Sequence, residues 1–202
     1  MPTPPPDRER AARAIDEFLS AIGRDPHAGD LEGTGARVAA MFVDELCAGH
    51  AIDAEAILVA NVIAHRGGAP AEILVRDIVV TTTCPHHLLP ATGHASLAFG
   101  PRERLVGVGA VGDFLDACAR RLVLQEALVE DVTGGVWRAL EPRWVACKLT
   151  LSHGCMTARG GRRHGATVDA WSVRGAVDGA TLSRLFGGTQ VPAPPEPPPG
   201  AP

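Results

Sequence analysis

The sequence predicts an α+β fold in which an antiparallel sheet is backed by helices. Three observations carry that expectation. Segments rich in β-branched residues come in two pairs, the members of each pair close enough to form a hairpin. A long stretch of helical periodicity separates the two pairs. Two amphipathic helical segments precede the first strand, so helices and strands are grouped rather than strictly alternating.

The elements follow in order. Asp7 to Gly23 reads as a helix, with Ile15, Phe18, Leu19 and Ile22 on one face and Gly23 as its stop. A second helix is expected from Thr34 to Ala48, with Val38, Met41, Phe42 and Leu46 on one stripe. Glu72 to Thr83 and Thr92 to Phe99 read as strands, with Pro90 and Gly93 in the turn leading into the second. Val111 to Leu140 turns helical, as two helices or one broken helix. In the strand from Arg143 to Ser152, Val145, Cys147, Leu149 and Leu151 share one side. Ala166 to Val173 is a further strand and Thr181 to Phe186 a short final helix. The expected organisation is one domain over residues 9–190, between a disordered Pro-rich N-terminus at 1–8 and a disordered Pro-rich tail at 191–202. The open edges of such a sheet need pairing or covering, so a ring of subunits is expected.

Composition narrows the class. The chain has 202 residues, 46% of them hydrophobic and 4% aromatic, with no Tyr, so Val, Leu, Ala and Ile must fill the core. A formal charge of −4 argues against a general nucleic-acid binder. No stretch approaches the roughly 18 apolar residues of a membrane span, and the first eight residues lack the apolar region of a secretory signal. Cys47, Cys84, Cys118, Cys147 and Cys155 are odd in number and widely spaced, which speaks against a disulfide framework. A reducing cytoplasm is the expected location, where a thiolate is free to bind metal.

The segment from Thr81 to Pro90 is the most informative. It contains Cys84-Pro85-His86-His87, directly after a predicted strand. Two intervening residues let Cys84 and His87 reach one metal ion from a tight turn. Cys155, in Ser152-His153-Gly154-Cys155, ends another strand and can close on the same ion if the two strands are neighbours. Two thiolates and an imidazole suit Zn2+. Three protein ligands leave a position for water, as catalytic zinc sites do, whereas a fourth ligand from His86 or His153 would make the site structural. His86 and His153 flank the ligands and are candidates for proton transfer. Arg159, Arg162 and Arg163 follow Cys155 and suit an anionic substrate. Gln125-Glu126 offers a carboxylate for a guanine-like N–H and NH2 edge, or is simply an exposed helical pair.

At these residues the sequence resembles the GTP cyclohydrolase I family. The likeness lies in Cys84-Pro85-His86-His87-Leu88-Leu89-Pro90, in His153 to Gly160, in the helical stretch 105–128 with Arg121 and Gln125-Glu126, and in Thr34 to Gly49. It covers about Ile15 to Gly187. The resemblance implies a tunnelling fold and a toroidal homodecamer with active sites between subunits. It implies zinc on Cys84, His87 and Cys155, proton transfer by His86 and His153, and guanine anchored by Glu126 with Gln125 beside it. It further implies hydrolytic opening of the imidazole ring of GTP, loss of formate, closure to a dihydroneopterin triphosphate, and a place in tetrahydrofolate biosynthesis. Arg37 and Arg159 fall at positions that hold the triphosphate. Ala40 and Ala110 stand where lysines are usual, Asp113 where an arginine is usual, and Gly109 where a serine is usual. The resemblance therefore implies a weakened grip on the triphosphate, and alternatives of a less phosphorylated purine substrate or a non-catalytic pterin- or purine-binding homologue.

Overall fold

A computed structural model of the chain describes residues 5–65, 68 and 72–187. The Pro-rich tail expected at 191–202 and residues 1–4 of the expected disordered N-terminus lie outside the described residues.

Helix α1 runs Arg8–Ala21, with the Asp7 side chain accepting from the Arg10 N–H at its N-cap. Helix α2 is Thr34–Ala40. The expected continuation to Ala48 is instead a π-helical turn at Met41–Leu46, followed by a 3-10 turn at Ala48–Ala51. The Cys47 N–H reaches back five residues to the Phe42 carbonyl at 2.8 Å, which widens the helix at this point. The apolar face read on α1 is only partly covered: α1 packs on α2 and buries no residue fully, and Phe18 and Ile22 remain exposed.

Helix α3 (Ala54–Ala60) and the short strand β1 (Val62–Ala64) were not foreseen. Strand β1 pairs with β4 (Arg104–Val106) in a two-stranded ribbon. The main sheet is antiparallel with order β2-β3-β5-β6, where β2 is Ile73–Thr83, β3 is Pro90–Gly100, β5 is Trp144–His153 and β6 is Val168–Gly175. The predicted helical stretch is two helices, α4 (Val108–Ala119) and α5 (Gln125–Leu140). A single turn, α6 (Gly154–Thr157), follows β5, and α7 (Gly179–Phe186) closes the described chain.

The α+β expectation, an antiparallel sheet backed by helices, is borne out. Val145, Cys147, Leu149 and Leu151 share one face of β5 and are fully buried, beneath Leu58 of α3, Phe114 and Leu115 of α4 and Leu128 and Val132 of α5. The opposite face is covered at one end by Leu182 and Leu185 of α7 on Ala98, Trp144 and Ala146.

Two details of the sheet set up the site. Strand β2 carries a bulge: Val75 pairs with Leu97 and Ile78 with Ala95, so Arg76 and Asp77 share the space opposite Ser96. Asp77 takes the left-handed conformation at φ 55°, which Asp tolerates better than most side chains. The bulge reverses the phase of the strand. Ile73 and Val75 face the helices before it, Ile78 and Val80 after it, and Val79 is left 75% exposed. Gly93, expected in a turn, is instead inside β3, paired with Val80 and Leu151. A side chain there would run into the Thr150 carbonyl, so the strand needs a glycine.

Candidate active site

Strand β2 ends at Thr83 and β3 begins at Pro90, and these two residues pair. The six residues between them form a tight loop. The Cys84 N–H donates to the Leu89 carbonyl at 3.0 Å, and the Leu88 N–H donates to the Cys84 carbonyl at 2.9 Å. Leu88 adopts φ 54°, which turns the chain back into β3. The loop sets Cys84 Sγ 3.9 Å from His87 Nδ1.

Cys155 arrives from the other side of β3. Neighbouring strands would be one way to bring Cys155 to the ion, but β2 and β5 are not neighbours, because β3 lies between them. The loop after β2 and the turn after β5 both sit at the same end of β3, where Ala91 pairs with Thr82 and His153. Gly154 permits this approach, since a Cβ on it would stand 2.8 Å from the Pro90 carbonyl oxygen and 3.3 Å from Leu89 Cβ. As a result the ligand atoms of Cys84, His87 and Cys155 lie within 4.8 Å of one another. Cys84 is 8% exposed, Cys155 half-buried and His87 exposed, so the group opens to solvent on the histidine side.

The donor set suits zinc. A zinc ion bonded at roughly 2.3 Å to sulfur and 2.0 Å to nitrogen holds such atoms at most roughly 4.3 Å apart, and the Cys84–His87 spacing meets that limit. All five cysteines are free. Burial pushes the Cys118 thiol up to about 11 and the Cys147 thiol well above the thiol range, so both stay protonated within the core.

His86 is exposed, its ring edge-on to that of His87 at 6.2 Å between centroids. His153 is half-buried, with Nε2 2.7 Å from Gln125 Oε1. Gln125 was expected to share a substrate-binding role with Glu126, but the two part company. Gln125 is 2% exposed, and its Nε2 donates to the Leu149 carbonyl at 3.0 Å and the Val168 carbonyl at 2.9 Å. Glu126, one residue further round the helix, is exposed. The inward role of Gln125 was missed because its partners lie on β5 and β6, distant in sequence.

Arg159 is exposed, as are Arg162 and Arg163, on the loop after α6. Arg37 is exposed on α2 and donates from Nη2 to Thr34 Oγ1 at 2.9 Å. Helix α2 packs chiefly on α1 and the π-helical turn among the described residues, away from the strands that carry the metal group. Ala110 is buried in α4, and Asp113 on the same helix is exposed. Thr83, next to Cys84, is fully buried, and its Oγ1 has no hydrogen-bond partner among the described residues. No helix of the described residues is long and apolar enough to cross a membrane.

Comparison with known proteins matches residues 11–187 to the family model described as GTP cyclohydrolase I. Among the similar proteins is a GTP cyclohydrolase 1 of Leifsonia xyli, 38% identical over 169 residues, which are 84% of this chain and 87% of that one. Another, from Thermobifida fusca, is 37% identical over 172 residues, covering 84% of this chain and 81% of that one. A third, from Allorhizobium ampelinum, is 34% identical over 163 residues, covering 81% and 80%.

Proposed function

The chain belongs to the GTP cyclohydrolase I family, and from that premise we propose that it hydrolyses the imidazole ring of the guanine of GTP, releasing formate and forming 7,8-dihydroneopterin triphosphate. The observation that carries the reading is the convergence of Cys84, His87 and Cys155 beside a hydrogen-bonded His153.

Cys84, His87 and Cys155 would hold a zinc ion. Bound zinc supplies Lewis acidity, which makes water a nucleophile near neutral pH. His153 exchanges protons with the purine ring and the departing formyl group, and exposed His86 is the second proton-transfer group. Glu126 accepts two parallel hydrogen bonds from the guanine N1–H and exocyclic amine. Arg159 and Arg37 pair with phosphate oxygens, Arg37 from a neighbouring subunit. A homo-oligomer, with ten subunits as the family resemblance suggests, is supported by the outer edge of strand β2, which among the described residues has no strand beside it, and by exposed Phe18, Ile22, Val59, Ile63, Val79 and Val108. The five free cysteines suit a reducing cytoplasm.

A second reading keeps the ring opening but takes a less phosphorylated purine. It is favoured by Gly109, Ala110 and Asp113 on α4, which offer no cation and one exposed carboxylate. A charge-assisted hydrogen bond contributes ~1.5–3 kcal/mol, so missing cations cost orders of magnitude in triphosphate affinity.

One experiment tests both. Formate release is followed with GTP, GDP, GMP and guanosine on zinc-loaded protein, alongside Cys155→Ser. Turnover of GTP that vanishes with the metal in Cys155→Ser supports the main reading. Preference for GMP or guanosine supports the second. Full turnover in metal-free Cys155→Ser sinks both.

A further inference from the structure

Gln125 sits at the first position of α5 and touches three groups that lie far from it in the chain, on β5 and β6. Its Nε2 donates one hydrogen to the Leu149 carbonyl of β5 and the other to the Val168 carbonyl of β6. Carbonyl oxygens only accept, so the end of the amide that faces them must be the NH2 group. Turned over, the side chain would press its oxygen against two carbonyl oxygens in a site that is 2% exposed. The amide therefore has one orientation, and Oε1 faces His153 Nε2 at 2.7 Å.

An amide oxygen cannot donate. At that distance the ring nitrogen opposite must carry the hydrogen. We propose that Gln125 is a positioning residue that fixes His153 as the Nε2–H tautomer and leaves Nδ1 as the atom that exchanges protons with substrate. This rests on the proton-transfer role given to His153 above. It replaces a substrate contact by Gln125 with an indirect action through His153. The arrangement is rigid because the backbone of two strands and the start of a helix anchor it. Register puts Leu149 opposite Ala170 and Leu151 opposite Val168, with Thr150 opposite Asp169 between them, so the two carbonyls lie two rungs apart on one ladder. His153 itself ends β5, two residues beyond Leu151.

The test uses zinc-loaded full-length protein labelled with 15N-histidine. Solid-state 15N spectra report the tautomer of each ring, and His153 is assigned by the signal lost in His153→Asn. The expected wild-type state is Nε2–H. Finding Nδ1–H overturns the proposal and needs no variant. Gln125→Met keeps the volume and removes all three bonds. Its kcat is expected to fall on the order of 10–100-fold, the usual cost of losing a partner that orients a site histidine. KM and zinc content should hold, and the His153 signal should become a mixture of tautomers. A raised KM with kcat retained would make Gln125 a substrate contact and overturn the proposal. So would unchanged kcat, or a fall in kcat with the His153 tautomer intact. Wild-type kcat in His153→Asn removes the proton-transfer role instead, and leaves the tautomer assignment to stand or fall on the spectra.

Discussion

Replacing Gly154 with alanine adds one methyl group between the two halves of the metal group. The backbone there is not left-handed, so the residue type costs nothing conformationally and the effect is steric. The new Cβ would lie 2.8 Å from the Pro90 carbonyl oxygen, where ordinary contact begins at 3.4 Å. The shortfall is 0.6 Å (3.4 minus 2.8). Leu89 Cβ, at 3.3 Å, blocks retreat in that direction. Pro90 and Leu89 continue the loop that carries Cys84 and His87, while Gly154 leads directly into Cys155. Relief of the clash must therefore widen the gap between ligands. Metal–ligand distances tolerate about 0.2 Å, so a 0.6 Å displacement exceeds the tolerance about threefold. Loss of geometry on this scale lowers metal affinity about 10–100-fold, equivalent to about 1.4–2.7 kcal/mol. Competition against a graded series of zinc chelators measures it, with far-ultraviolet circular dichroism to confirm that the fold persists. Gly154→Ala with wild-type zinc affinity and wild-type formate release would refute the steric argument.

Three further outcomes are expected. Glu126→Ala should raise KM for GTP, since unpaired donors in a closed pocket cost about 1–3 kcal/mol each, while zinc content measured by atomic absorption stays at its wild-type level. At pH 8, Cys118 and Cys147 should resist iodoacetamide in the folded protein, because burial raises both thiols and the reactive thiolate appears only above the raised values; mass spectrometry should find Cys155 alkylated first once zinc is chelated. Thr83→Val should stabilise the protein by about 1–2 kcal/mol, because a fully buried hydroxyl without a partner among the described residues is replaced by a methyl of the same shape. For a chain of this size that raises Tm by about 2–4 °C per kcal/mol, and a lowered Tm would mean the hydroxyl is bonded.

Much of the site was legible because its chemistry is local. Cys84 and His87 stand three positions apart in one short loop, directly after a strand whose β-branched residues are readable from Glu72 to Thr83. The strand alternation through Val145, Cys147, Leu149 and Leu151 is equally local, and those side chains do share a buried face. What escaped depends on distant partners or on exceptions to periodicity. Helix α3 is only seven residues long, too short for its pattern to stand out. Ribbon β1–β4 has three residues a side and exists through pairing across about forty residues of chain. Gln125 and Glu126 looked like one functional pair in sequence, but helical geometry turns one inward and one outward. Arg37 was assigned to the site by resemblance, and its helix packs elsewhere in the single chain.

The bulge at Asp77 has a consequence for how this protein can vary. Cys84 follows Thr83 at the end of β2, seven residues after the bulge, and the side to which each of those residues points is counted from it. Amino acids between the bulge and the loop can be exchanged for others of similar shape. Their number cannot change by one, in either direction, without swapping Val80 and Thr82 to the outside and turning the thiol of Cys84 away from Cys155. Removing Asp77 itself is the exception: Val75 and Ile78 would then stand two positions apart, Arg76 would oppose Ser96, and Val80 and Thr82 would keep their inward side in an unbroken alternation. Natural variation from Ile78 to Thr83 should therefore consist of substitutions, with single-residue insertions and deletions confined to the bulge itself or to positions before Ile73.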